Sequence, residues 1–439
     1  MRFNTLLFIL FTILTVFWLS SCTLPDEPNV SESADILPDE DEEENDDDDD
    51  VIYTLVDGAF IVNSLSDVVA SDGVITLREA IEAANTNTAV GDAPAGLEDE
   101  KDIIQFDLAA LQSQAGASNM LTITLNGKEL EITDDVSIIG PGPKLLAINA
   151  NEKSRCFKIH GTGAANLTGM TITGGKEVSG GGIYSTTSGT VKLKDVNITG
   201  NKVTDPQGSI ACGGAIYHYG RKIIIKESSI SNNESTGNGG GIWIGNTMVE
   251  GATLLKMEVI NVLIENNKAG RYGGGAYSGG TLILTNSVLV GNKSKNGGGV
   301  YVMSGGGWYK KFKSFNSTIA GNTAENKGGG ILNDNHYTHH FSAFICQNTI
   351  VAKNIAPNNA NIYSSFAVVG NTNWIDGDPG FVRNPSGSDN GDVHLSSGSP
   401  CIDKGGKSGA ENGFGKQKDM DYEPRKVNGI VDIGADEYQ

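Results

Sequence analysis

Asp195 and Glu227 stand at the same offset in two consecutive copies of an internal repeat, and Lys194 and Lys226 immediately precede them. Carboxylates stacked one coil apart could hold a cation, and a neighbouring lysine of depressed pKa could act as a base. Those are the two requirements for eliminating across a uronate ring. The later copies place Asn261, Asn286, Asn316 and Asn348 at this offset, so the acids do not form a ladder, and a corner position rich in Asp and Asn is the competing explanation. Cleavage by hydrolysis would need two carboxylates flanking one bond, a pair the sequence alone does not place. His336, His339 and His340 follow Asp334 in a loop and could ligate a transition metal, but their spacing leaves the other ligands unspecified. Asp376-Gly377-Asp378 has too few oxygen ligands for a calcium loop and reads as a turn. No catalytic residue, metal ligand or cofactor is therefore assigned. The candidate ligand-binding residues are aromatic: Tyr184, Tyr217, Trp243, Tyr277 and Tyr301 recur at equivalent positions, and Trp308 and Tyr309 sit in a loop beside Lys310 and Lys311.

The elements that position these residues come from a repeated pattern. Its last apolar residue is Ile172, Ile198, Ile230, Ile264, Leu289, Ile319 or Val351, giving spacings of 26, 32, 34, 25, 30 and 32 residues. Taking that residue as origin, further apolar positions recur at −7 and −5, and others at −2. Side chains on a strand alternate between faces, so this pattern predicts two arms separated by a one-residue corner. An asparagine follows at +3 in six of the seven copies, Asn201 to Asn354. Asparagine suits corners because its side chain bonds nearby backbone and it tolerates left-handed dihedrals. Gly-Gly-(Gly/Ala)-apolar then starts a further short strand at Gly180, Gly213, Gly239, Gly273, Gly297 and Gly328. A coil of this length cannot bury its inner face alone, but stacked coils can. The expected fold is all-β: a right-handed parallel β-helix of three-strand coils, the pectate-lyase-like solenoid, with a short N-terminal capping helix. In that fold the aromatic row faces outward, with rings about 4.8 Å apart that could present flat faces to sugars or a protein partner, or simply support one another.

Composition fits one elongated body. The net charge of −21 is concentrated in residues 23–50, which carry 15 acids and no base, whereas residues 51–439 contribute about −7. Neither part offers a basic stripe, so nucleic acid is not expected as a partner. Residues 1–21 form a targeting segment with Arg2 ahead of an apolar run, and Leu19-Ser20-Ser21-Cys22 resembles a bacterial lipobox. That resemblance implies lipidation at Cys22 and a membrane partner through the lipid. Thr23 in place of aspartate leans towards the outer membrane. Residues 22–50 are then a lipidated cysteine and an acidic, disordered tether. Residues 51–150 form a cap and first strands, 151–355 the repeats, and 356–439 an end module. In the cap, Thr76-x-x-Glu79 has the capping-box pattern ahead of Leu77, Ala80, Ile81 and Ala84 on one face, with Arg78 and Glu79 on the polar side. Cys346 falls on the inward stack, and Cys156, Cys212 and Cys401 show no zinc-site spacing.

Three resemblances extend this reading. Thr76-Leu77-Arg78-Glu79-Ala80-Ile81 resembles the segment ahead of bacterial extracellular β-helices. Gly213-Gly214-Ala215-Ile216, with Ile198-x-x-Asn201 and Ile264-x-x-Asn267, resembles the repeats of polymorphic outer membrane proteins over about residues 165–354; that family's closing membrane barrel has no counterpart here. Gly391-Asp392-Val393-His394-Leu395, Ser399-Pro400-Cys401-Ile402-Asp403 and Val431 to Tyr438 resemble the choice-of-anchor Q region. Together they imply a lipid-anchored cell-envelope protein, exposed at the outer membrane or cell surface. Its expected role is display or adhesion through a polysaccharide or surface-protein ligand. The alternatives are a polysaccharide lyase of pectate-lyase type and a passive structural protein.

Overall fold

The computed structural model describes residues 53–98, 100–205, 211–245, 255–304, 311–335, 343–364, 368–406, 419, 421, 423 and 430–438. Cys22, the residues before and after it to position 50, Trp308, Tyr309 and His336 to His340 lie outside them. The described chain is a parallel β-helix of about eight turns, all-β apart from two helices.

Coil upon coil, the repeats pair in the register their apolar positions dictate. Ala165, Val191, Ile223, Met257, Leu282, Phe312 and Phe344 are cross-strand neighbours in series, as are Leu167, Leu193, Ile225, Val259, Leu284, Ser314 and Cys346. These side chains are buried in one continuous core running the length of the solenoid. Both arms of each copy belong to the same long sheet. The corner between them is the residue at −3, which has positive φ in every copy: Gly169, Asp195, Glu227, Asn261, Asn286, Asn316 and Asn348. A second parallel sheet has nine strands and follows the glycine clusters, and a third has six very short strands such as Lys202–Val203 and Glu234–Ser235. The third sheet was missed in the sequence because four of its six strands have only two residues, too few for a readable alternation.

The asparagines at +3 do something other than bend the chain. The left-handed residue is the one before them, at +2, where Gly174, Gly200, Asn232, Asn266, Gly291, Gly321 and Lys353 stand. The +3 asparagines are buried and form a ladder. In each rung the side-chain Nδ2 of one asparagine donates to the Oδ1 of the next and to the origin carbonyl of the previous coil, as Asn267 does to Asn292 and Ile230 at 3.0 and 2.8 Å. The next Oδ1 also accepts the backbone N–H of the same asparagine. Gly175 opens the ladder by donating to Asn201 Oδ1, and Asn361 closes it by accepting from Asn354. At the glycine clusters the first residue has positive φ and the second lies against the next coil: a Cβ on Gly214 would stand 2.1 Å from the Gly240 carbonyl oxygen.

The N-terminal side is covered by α1, Leu77–Thr86, whose capping box between Thr76 and Glu79 is formed. Arg78 and Glu79 are not on a polar face, as the sequence pattern suggested. Glu79 is buried and accepts from the Thr76 and Ala70 backbone N–H groups. Arg78 pairs bidentately with buried Asp67 and donates to the Lys128 and Glu129 carbonyls, fastening the helix to the first coils. A second helix, α2 at Leu108–Ala115, starts from an Asp107 cap. Coil pairing continues to Trp374–Ile375. Beyond it, the antiparallel hairpin Phe381–Arg383/Asp392–Leu395 and the segment around Ile433 and Ala435 pack on the outer face of the long sheet, against Val288, Val290, Ala320, Ile350 and Ala352.

Candidate functional site

The outward residues of the nine-stranded sheet form one file. Glu131, Lys158, Tyr184, Tyr217, Trp243, Tyr277 and Tyr301 are successive register partners, and Leu332 and Tyr363 continue it. The inward apolar residue beside each ring, such as Ile183, Ile216 and Ile242, is fully buried and fixes the alternation. The structure thus brings together the five aromatics singled out in the sequence.

Their orientation differs from the expectation of exposed flat faces. The ring centroids of Tyr184 and Tyr217 are 4.8 Å apart with planes 3° from parallel, and those of Tyr217 and Trp243 are 4.4 Å apart at 12°. Parallel rings that close must overlap face to face, since coplanar rings would collide at their edges. The faces are therefore spent within the column, and edges point to solvent. At one end the Arg155 guanidinium covers Tyr184, 4.7 Å from its centroid. Towards the other end Tyr272 leans on Tyr301, and Tyr277 donates its hydroxyl to the Met303 sulfur. Burial is the main cause that pushes the Tyr217, Tyr277 and Tyr301 phenols well above their ordinary value. Tyr301 is buried, contrary to its expected exposure.

The accessible aromatic surface lies nearer the N-terminal end, at Tyr184, Tyr217 and Trp243, and is enlarged by Tyr219. Tyr219 is 43% exposed and lies 6.5 Å from Trp243, 17° from parallel. Sequence reasoning passed over it because the matching positions in neighbouring copies, Thr186 and Gly245, are not aromatic. Beyond Tyr184 the file becomes charged: Lys158 pairs with Glu131 at 2.8 Å, and Arg155 with Glu129 at 3.0 Å. Glu129 and Glu131 also line a groove of about 590 Å³ between α1 and the first coils, together with Glu82, Asn85, Lys128 and Lys153.

Asp195 and Glu227 are on the long sheet, a different face. Both are the left-handed corner residues of their copies, which gives their position a backbone role. Lys194 Nζ lies 3.6 Å from Glu227. Burial, and then the Glu227 charge, push the Asp195 carboxyl above the usual range. Asp376-Gly377-Asp378 is a turn with positive φ at Asp376 and Gly377, in which Asp376 accepts from Asn361 and Asp378 from the Gly380 N–H. Cys156, Cys212, Cys346 and Cys401 are all buried free thiols; burial pushes Cys346 and Cys156 up to about 12.

These features define a parallel β-helix with one aromatic and charged face. No family model matches the chain, and no curated protein matches it. Among solved structures it is similar to the pectate lyase Pel9A, with 14% identity over 85% of this chain and 96% of that one, and a TM-score of 0.43. At that level the likeness transfers neither activity nor residues.

Proposed function

We propose that this chain is a lipid-anchored envelope β-helix that displays a rigid face for adhesion to an extended ligand, a linear polysaccharide. The supporting observation is the unbroken outward file from Glu131 to Tyr277. Five coil steps make it roughly 24 Å long, on a scaffold whose backbone is paired on both sides. Loops and faces held by such scaffolds are suited to recognition. The stacked column offers ring edges and polar rims, and Tyr219 adds an exposed ring, so sugars would bind by hydrogen bonds along the edges with limited stacking at Tyr219. The charged pairs at Lys158 and Arg155 would receive polar or anionic substituents.

The anchor belongs to the same proposal. Lipid at Cys22 would hold the chain to the membrane, and residues 23–50 would keep the body clear of it by charge repulsion. Fractionated cells test this. Wild type should sediment with membranes and Cys22→Ser should be soluble; equal partition of the two would remove the anchor.

Binding is tested by retention of the full chain on a panel of immobilised polysaccharides. Tyr219→Ala removes the exposed ring and should weaken retention without altering the circular dichroism spectrum. A polyuronate lyase is the alternative that Asp195, Glu227 and Lys194 support, since they place a raised carboxyl, a second acid and an amine at one corner. Release of absorbing unsaturated products, abolished by Asp195→Asn, would replace the proposal with that one.

A further inference from the structure

The C-terminal module gathers acids from three stretches of chain, and most of them have structural work. Asp419 is buried and accepts from the Asp421, Glu423 and Glu437 N–H groups. Asp432, also buried, accepts from Asp403 and Tyr438, while Glu437 accepts from Asp432. These three carboxylates are explained by the backbone donors they satisfy.

His394, Asp421 and Asp436 form a second group, in which Asp436 meets one backbone donor, the Leu395 N–H. One ligand atom from each lies within 4.8 Å of the others. The His394 Nε2 is 3.1 Å from Asp421 Oδ2, and its Nδ1 is held by Asp392. A carboxylate on one imidazole nitrogen fixes the ring and aims the other at a metal, the arrangement that orients histidine ligands generally. Asp436 uses Oδ2 to accept the Leu395 N–H at 2.8 Å, which fixes it beside the hairpin strand carrying His394. The module's own apolar core is small, with Phe381, Leu395, Cys401 and Ile433 packed on the solenoid flank. Small cores of this kind are commonly supplemented by a staple.

We propose that His394, Asp421 and Asp436 form a divalent metal site of the zinc class, with Asp392 orienting His394, that ties the hairpin, Asp421 and the C-terminal stretch together. One imidazole, two carboxylates and a water make a four-coordinate set suited to zinc, and too few oxygens for calcium. Ligand atoms around zinc stand at about 3.3–3.6 Å from each other, so separations within 4.8 Å need to close by no more than about 1.5 Å on loading. Asp421 and His394 are about half exposed, leaving an ion free to enter.

The full chain, stripped with chelator, is titrated with zinc chloride and followed by calorimetry and thermal unfolding. The expected result is saturable binding of one zinc per chain and a higher Tm, with binding lost in His394→Gln and Asp421→Asn. Asp436→Asn keeps an acceptor for the Leu395 N–H and should fold yet bind weakly. Asp392→Asn should bind about tenfold or more weakly. If zinc does not bind saturably, or binds equally to all four variants, the site is refuted. A Tm that ignores zinc but drops in His394→Gln would identify a charged His–carboxylate cluster instead, and calcium giving a larger Tm rise than zinc would overturn the metal class.

Discussion

At the scale of single residues, the chemistry of this chain depends on which side of the wall a side chain faces. His218 illustrates it. The residue follows outward Tyr217, so it points inward, where it is fully buried with Nδ1 3.2 Å from the Ser185 hydroxyl and Nε2 without a partner among the described residues. Burial lowers its pKa from 6.5 to about 4. The unfolded chain therefore takes up a proton that the folded one refuses between those values, so stability is intact above pH 6.5 and is lost as pH falls towards 4. The loss should approach about 3 kcal/mol. Urea unfolding at pH 7 and pH 4.5 measures it, and His218→Gln should flatten the difference; an unchanged pH slope in that variant would assign the effect elsewhere. The same inside–outside alternation was readable in sequence for Ile216 and Tyr217, because period two needs only residue types. Ring orientation was not readable. Whether Tyr217 offers a face or an edge depends on its χ angles and on its neighbours one coil away, and those 4.4–4.8 Å stacks are tertiary facts.

Elements here are coils, and the interaction that repeats between them is the asparagine ladder. Asn267 accepts from Asn233 N and Nδ2 and donates to Ile230 O and Asn292 Oδ1. Asn267→Ala would strand the Asn233 donors and the Ile230 carbonyl in a fully buried setting, at a cost of about 3 kcal/mol or more. Denaturant unfolding should show that loss, and a change below about 0.5 kcal/mol, the size of a surface substitution, would contradict the ladder's role. The spacing of these asparagines was plain in the sequence, but not their function, because a corner residue and a stacked residue share one composition. The flank covered by the C-terminal module was also written in the chain. Positions −1 and +1 are polar in the early copies, Asn197, Thr199, Ser229 and Ser231, and become apolar at Val288, Val290, Ile350 and Ala352. That switch marks where a second layer covers the sheet. Glu79 escaped the same kind of reading, since a helix only ten residues long, wedged under Ala70, buries a position that periodicity assigns to solvent.

At the scale of the whole solenoid, the described coils form a one-dimensional stack, stabilised by nearest-neighbour contacts between coils, and its register was the most legible feature because inward aliphatics repeat in every copy. The groupings that join distant sequence were the least legible: the groove between α1 and the first coils, and the His394, Asp421 and Asp436 cluster. The proposed function rests on the long outward file, so the decisive measurement is retention of the intact protein on a panel of linear polysaccharides, with unsaturated product recorded in the same samples. The account predicts retention on at least one glycan, weakened about tenfold or more by Tyr219→Ala or Trp243→Ala, a loss of about 1.4 kcal/mol, with no product released and no effect of Asp195→Asn. Product formation that Asp195→Asn abolishes, or retention indifferent to both aromatic substitutions, would contradict it.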